Sequence, residues 1–136
     1  MTETRELKLL SVIESVDEAA AAAEAYARDL KLADDVVFAI DLAVRESVAN
    51  AVKHGNRFDK DKQVELTIRK SAAGVEITVR DFGTGFRPED IPDPTDSENL
   101  LKANGRGILF MRSFMDDVEW SNPNGGGLLV KMIKKL

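Results

Sequence analysis

The pair Glu46 and Asn50 offers chemistry suited to a magnesium ion. The two residues lie four apart in a segment with helical apolar spacing, so their side chains are on the same side of the helix, one turn apart. Ala39 and Ala43 precede them on this stripe, and such small side chains would let another molecule approach closely. Carboxylate and amide oxygens are hard ligands that suit Mg²⁺, which commonly combines few protein ligands with phosphates. A polar pair that faces solvent is the alternative.

A second carboxylate, Asp81, ends the core face of a predicted strand. It has the same parity as Val75, Ile77 and Val79, whose alternation predicts a half-buried strand. Burying an unpartnered carboxylate costs several kcal/mol. Therefore either a turn at the strand end lifts Asp81 into water, or Asp81 accepts hydrogen bonds from the backbone or from a ligand. The exocyclic amine of adenine is one such donor.

Gly83 and Gly85 follow directly after this strand in a Gly-x-Gly arrangement. Glycine permits backbone geometry that side chains forbid, and it allows close approach to a flat ligand. A simple turn is the alternative. The third glycine of the dinucleotide-binding fingerprint is missing, and Pro88 stands nearby instead.

Gly105, Arg106 and Gly107 lie where a polar segment meets a predicted short helix. Free backbone N–H groups at a helix start bind phosphate well, and a guanidinium group can pair with phosphate oxygens. A glycine-rich helix entry without any ligand is the alternative. The sequence contains no Gly-x-x-x-x-Gly-Lys pattern, which excludes a P-loop.

The elements that would position these residues form a single domain over residues 1–136. Apolar periodicity predicts two long helices among several strands, with most strands at the end of the chain, and hence helices on one face of a mixed, mainly antiparallel sheet, a two-layer α/β sandwich. Ser15 and Glu18 form a capping-box pattern at the start of the first helix. The predicted elements are strands at Leu7–Val12, 64–68, 75–79, Val118–Ser121 and Leu128–Ile133, and helices from Ser15, from 36 to about His54, and at Gly107–Met115.

Composition narrows the function. A net charge of −5 argues against a general nucleic-acid binder, because phosphate contacts need clustered Lys and Arg. The absence of cysteine excludes disulfides and thiolate metal sites. The first residues lack the apolar segment of a signal peptide, and no apolar run reaches the roughly 18–20 residues that span a bilayer. We expect a cytoplasmic protein without membrane contact.

Taken together and in order, these residues resemble a known set of motifs. The segments Glu46-x-x-x-Asn50-Ala51-x-Lys53-His54-Gly55, Asp81-x-Gly83-x-Gly85 and Gly105-x-Gly107 are similar to the N, G1 and G2 boxes of the GHKL ATPases. That superfamily includes the ATP-binding domains of gyrase, histidine kinases and MutL, and shares the Bergerat fold. Within it, the short chain, the Lys53-His54-Gly55 ending and Phe114–Val118 most resemble the anti-sigma factor serine-protein kinases.

The resemblance implies a role for each matching residue in binding ATP or ADP with Mg²⁺. Asn50 would ligate the Mg²⁺, and Glu46 would act as the general base. Asp81 would accept a hydrogen bond from the adenine amine, in a pocket shaped by Gly83 and Gly85.

The same resemblance implies an ATP lid at about residues 87–106. Gly105 and Gly107 would bring backbone donors to the phosphates, and Arg106 would reach the terminal phosphate. His54 would either line the rim of the site or pack at the end of its helix, and the sequence favours packing.

The implied activity is an ATP-dependent protein serine/threonine kinase that phosphorylates an anti-sigma factor antagonist. Some relatives also sequester a sigma factor, and relatives often form homodimers, but none of the quoted motifs reports either property. The main alternative is a regulatory module in which ATP tunes partner affinity with little or no transfer. The catalytic domain of a histidine kinase is a third possibility, for which the chain offers no phospho-accepting helical hairpin.

Overall fold

The computed structural model describes residues 4–83, 111 and 114–136. Within these ranges the chain forms five strands, two α-helices and one π-helical turn. The strands are β1 (Arg5–Leu10), β2 (Gln63–Ser71), β3 (Gly74–Arg80), β4 (Asp117–Ser121) and β5 (Leu129–Lys134). The helices are α1 (Ser15–Asp29) and α2 (Asp34–Asn50), and the π turn is Ala51–Gly55.

The strands form one sheet in the order β1-β2-β3-β5-β4, and every described neighbour pair is antiparallel. Side chains of alternate strand residues point to the same face, and Leu66, Val79 and Val130 are paired neighbours on the face that carries the core. Both helices contribute to this one core cluster, so the predicted two-layer sandwich is confirmed. In the described ranges, no helix combines the length and the apolar character needed to cross a membrane.

One apolar face of α2 is buried in the core. Its members are Val37, Ile40, Val44, Val48 and, in the π turn, Ala51, each less than a tenth exposed. Ala39 and Ala43, on the adjoining stripe, are buried as well, which fits their small size.

Both ends of β1, predicted at Leu7 and Val12, and the capping of α1 differ from the prediction. β1 leaves the sheet at Leu10 instead of Val12, because the next side chain, Ser11, donates a hydrogen bond to the carbonyl of Lys62 at 2.6 Å. The capping box is also wrong: Ser15 is the first residue of α1, and its hydroxyl donates to the carbonyl of Leu10 at 2.7 Å instead of capping the helix.

The second helix, predicted to end at about His54, continues to Gly55, and its last turn is wider than an α-turn. After Asn50 the helix becomes the π turn, which the N–H of Asn56 closes by donating to the carbonyl of Ala51 at 2.8 Å. Single π turns within helices are rare and are frequent at functional sites. This one carries the helix end towards the end of β3.

Candidate functional site

Three segments distant in sequence meet at the carboxylate of Asp81, which is 4% exposed. Its Oδ1 accepts hydrogen bonds from the N–H of Gly83 at 3.0 Å and from the N–H of Leu128 at 3.2 Å. The N–H of Asp81 in turn donates to the carbonyl of Leu128 at 3.0 Å. Of the two possibilities raised by the sequence, exposure to water or partners from the backbone, the structure therefore shows the second.

The environment of Asp81 disfavours its charged form. Burial raises the pKa of Asp81 above its ordinary value, and the N–H groups of Gly83 and Leu128 oppose this shift without cancelling it. A buried carboxylate with a raised pKa is a candidate functional group.

Glycines surround Asp81 because no side chain fits there. A Cβ on Gly55 would overlap Oδ2 of Asp81, and a Cβ on Gly83 would overlap the carbonyl oxygen of Gly55. On the other side, a Cβ on Gly127 would overlap the carbonyl oxygen of Asp81, and the φ of +85° at Gly127 also favours glycine. The end of α2, the end of β3 and the β4–β5 loop are thus in direct backbone contact.

The two oxygens of Asp81 have different surroundings. Both backbone donors go to Oδ1, and no described residue donates a hydrogen bond to Oδ2, which lies against Gly55. Both oxygens of a carboxylate accept hydrogen bonds. Because Oδ2 receives none from the described residues, it is the atom suited to a ligand donor such as an exocyclic amine.

Asn56 supports this arrangement, although it belongs to none of the motifs in the sequence. The side chain is 2% exposed. Its Oδ1 accepts from the N–H of Phe82 at 2.8 Å, and its Nδ2 donates to Oγ of Ser11 at 2.8 Å and to the carbonyl of Gln63 at 3.0 Å. In the sequence, Asn56 is only an asparagine that follows Gly55, and this local position does not reveal a partner 45 residues away.

Arg80 holds the β4–β5 loop from the other side. Its Nη2 donates to the carbonyls of Asn124 and Gly126, each at 3.1 Å. Its guanidinium lies 4.5 Å from the centre of the Phe82 ring, a cation–π contact. Arg80 is likewise outside the predicted site, because it belongs to none of the sequence motifs.

Glu46 and Asn50 lie on α2, which leads into the Asp81 cluster through the π turn. Both are partly exposed, and neither has a side-chain hydrogen bond or ion pair with another described residue. Along the helix axis, Asn50 and Glu46 lie on the order of 7 and 13 Å from Gly55. Of the predicted site residues, the structure thus brings Asp81 and Gly83 together, with Asn50 and then Glu46 progressively farther along the same helix.

The donor set fits a magnesium ion held largely by phosphates. In the described part of the chain, no group of three or more His, Asp or Glu side chains could hold a metal by itself. A partly exposed amide and a carboxylate, neither bonded to another described side chain, are suitable for Mg²⁺, which keeps waters and substrate phosphates as its other ligands.

Part of the predicted site lies outside the described residues. This applies to Gly85, Gly105, Arg106 and Gly107 and to the lid expected at about 87–106. His54 is described and is exposed, so its expected packing at the helix end is wrong.

Comparison of the sequence with known proteins gives consistent matches. Residues 10–134 match the family described as the histidine kinase-like ATPase domain. A protein named anti-sigma F factor, from Thermoanaerobacter sp. (strain X514), is 31% identical over 137 residues, which cover 98% of this chain and 94% of that protein. The anti-sigma F factor of Heyndrickxia coagulans is 35% identical over 96 residues, 68% of this chain and 65% of that protein, just under two thirds of its length.

Comparison with solved structures supports the fold. The crystal structure of the RsbU and RsbW domains of Rv1364c from Mycobacterium tuberculosis matches with a TM-score of 0.73 at 15% sequence identity. The match covers 98% of this chain and 32% of that chain, so this chain spans about a third of the larger protein.

Proposed function

The chain belongs to the histidine kinase-like ATPase family, and from this premise we propose that it binds ATP with Mg²⁺ and phosphorylates a partner protein on serine or threonine. The observation that carries the proposal is the Asp81 cluster. A buried carboxylate has one oxygen satisfied by two backbone donors and a second oxygen that receives none from the described residues. This arrangement suits the amine of adenine.

The orientation proposed for the nucleotide gives each of the other predicted residues a role. With the base at Asp81 and Gly83, the phosphates would extend along α2 towards Asn50 and Glu46. Asn50 would be a ligand of Mg²⁺, and the ion would neutralise charge on the phosphates. Gly105, Gly107 and Arg106 would contact the phosphates, and Gly85 would complete the base pocket.

In the proposed reaction, Glu46 accepts the proton of the substrate hydroxyl. The hydroxyl oxygen forms a bond to the terminal phosphorus, the bond between that phosphorus and the bridging oxygen breaks, and ADP leaves. Transfers of this kind depend mainly on positioning and on charge stabilisation, and a positioned base adds about 10²–10⁴-fold.

The partner proposed for this activity is an anti-sigma factor antagonist, which would carry the phosphorylated hydroxyl. The anti-sigma F factor relatives support an anti-sigma regulatory role. Binding of a sigma factor, homodimer formation and a cytoplasmic location are further parts of this proposal.

The second candidate function is a regulatory module that binds ATP without transfer. Glu46 argues for the kinase, because binding alone would not require a carboxylate at that position. The two functions differ in a single measurable property, the phosphorylation of the partner.

The test is a transfer assay with labelled ATP, Mg²⁺ and candidate antagonist proteins, together with calorimetric measurement of ATP binding. Glu46→Gln should keep ATP affinity within about twofold and reduce transfer by about 10²–10⁴-fold, because the amide cannot take the proton. Glu18→Gln, a change at an exposed glutamate of α1, is the matched control. Asn50→Ala should lose the Mg²⁺-dependent part of ATP binding.

Normal transfer by Glu46→Gln would show that the base is misassigned. Tight ATP binding by the unchanged protein without transfer to any antagonist would favour the regulatory module. Absence of ATP binding would contradict both candidate functions.

A further inference from the structure

Asn56 has every side-chain hydrogen-bonding atom engaged although it is almost fully buried. The amide nitrogen has two acceptors, Oγ of Ser11 and the carbonyl of Gln63, and the amide oxygen has one donor, the N–H of Phe82. A primary amide can serve both donors and acceptors in one place, which a carboxylate or a hydroxyl cannot do with the same geometry. The side chain therefore joins the segment after β1, the start of β2 and the segment after β3.

The bond to Phe82 is the part of this network that reaches the candidate site. Phe82 lies between Asp81 and Gly83, so its peptide N–H belongs to the turn that presents the Asp81 carboxylate. The residue before Asn56 is Gly55, whose backbone packs against both Asp81 and Gly83. The Asn56 side chain thus sets the position of the segment Asp81–Gly83 relative to Gly55 at the helix end.

The opposite side of Asn56 is fixed to the sheet. Ser11 donates to the carbonyl of Lys62 at 2.6 Å while it accepts from Asn56, and the N–H of Asn56 closes the π turn. The residue is consequently held by Ser11 after β1, by Gln63 at the start of β2 and by the helix end. Buried polar networks whose hydrogen bonds are all satisfied make their surroundings rigid.

We propose that Asn56 is a positioning residue for base recognition: through the N–H of Phe82 it holds the Asp81 carboxylate at the distance and angle that select an adenine over a 6-carbonyl purine. This inference rests on the proposed binding of ATP. It adds a determinant of nucleotide specificity, because a misplaced Oδ2 would lose more affinity for a nucleotide with a 6-amino group than for one without it.

The experiment compares Asn56→Ala with Ser11→Ala in the full chain. Both changes remove the hydrogen bond between these two side chains, but only Asn56→Ala removes the acceptor of the Phe82 N–H. Dissociation constants for ATP and inosine triphosphate are measured by calorimetry, and thermal unfolding is followed by circular dichroism. The ratio of the two constants is the decisive readout, since a purely structural defect lowers the folded fraction equally for both ligands.

We expect both variants to have a lower Tm, whereas only Asn56→Ala reduces the preference for ATP, by roughly tenfold. Ser11→Ala should keep the ratio within about twofold of the unchanged protein. An unchanged ratio in Asn56→Ala, or an equal loss in Ser11→Ala, would overturn the inference. If the unchanged protein binds neither nucleotide, the proposed function fails instead, so the two failures are distinguishable.

A second measurement covers the case in which Asn56→Ala does not fold. In the unchanged protein, the Phe82 amide lies outside any strand and is bonded to a buried side chain. Hydrogen exchange followed by NMR should show protection of this amide by at least about 100-fold. Exchange at the rate of an exposed loop amide would overturn the inference without any variant.

Discussion

Asp81→Asn should change which purine the protein prefers while leaving its fold intact. In the present structure the N–H groups of Gly83 and Leu128 both point at Oδ1. An asparagine must place its amide oxygen at that position, because the amide nitrogen is a donor and would face two other donors. Its NH₂ group then takes the place of Oδ2 and presents donors to the base.

The expected magnitude follows from the hydrogen bond that is exchanged. A hydrogen bond to a charged acceptor contributes about 1.5–3 kcal/mol, which corresponds to a loss of roughly 10- to 150-fold in ATP affinity. The 6-carbonyl of inosine triphosphate would gain a donor in the same place, so its affinity should rise. The free energy of unfolding at pH 7 should fall by no more than about 1 kcal/mol, since both backbone donors keep an acceptor and a buried charge is removed.

Calorimetry with ATP and inosine triphosphate would measure both effects, with chemical denaturation as the check on folding. Asp61→Asn, at an exposed position between β2 and the π turn, is the matched control and should leave both affinities unchanged. A folded Asp81→Asn variant that binds ATP as tightly as the unchanged protein would refute the assignment of Oδ2 to the base.

Two further predictions concern the same cluster. Gly55→Ala should lower the free energy of unfolding by about 1–3 kcal/mol and weaken ATP binding, because the new Cβ overlaps the Asp81 carboxylate. Gly126→Ala is the control: its added Cβ meets no atom, so it should cost only the backbone strain of a φ of +96°, which Gly55 does not have, and should leave ATP binding unchanged. A Gly55→Ala variant that keeps both the stability and the ATP affinity of the unchanged protein would contradict the packing argument. Because burial raises the pKa of Asp81, the folded protein holds that proton more tightly than the unfolded chain, so the contribution of Asp81 to stability is greatest at acid pH and is lost as pH rises from about 4 through the raised value. Denaturation between pH 4 and 8 should therefore show the stability of Asp81→Asn increasing relative to the unchanged protein as pH rises, and a constant difference would show that Asp81 does not titrate as proposed.

The sequence predicted most of the fold because burial imposes a period on each element. Val64, Leu66 and Ile68 alternate with polar residues, and all three are fully buried in β2. Val44 and Val48 recur at helical spacing and are buried in α2. Family membership, first inferred from the motifs, is confirmed by the sequence match over residues 10–134.

Boundaries were less predictable because side chains decide them through contacts distant in sequence. Ser11 ends β1 by bonding the carbonyl of Lys62, 51 residues later, and Ser15 bonds a carbonyl five residues before it instead of capping α1. Neither partner can be read from local spacing, since Ser15 with Glu18 matches the pattern of a capping box.

The candidate site shows the same division. The parity of Asp81 in its strand predicted a carboxylate on the core face, and the structure places it there at 4% exposure. The roles of Asn56, Arg80 and Gly127 were not predictable, because each depends on a partner that only the folded chain brings near. Local patterns therefore located the carboxylate, whereas its supports are products of tertiary structure.

The cost of burying Asp81 is itself an argument about function. If the only task of this residue were to accept the N–H groups of Gly83 and Leu128, a neutral asparagine would do so without a buried charge. Burial raises the pKa of Asp81, although the N–H groups of Gly83 and Leu128 and the charges of Lys62 and Arg80 favour its charged form. Under the proposed function the buried charge has a use, because the second oxygen, which receives no hydrogen bond from the described residues, would accept one from the amine of adenine.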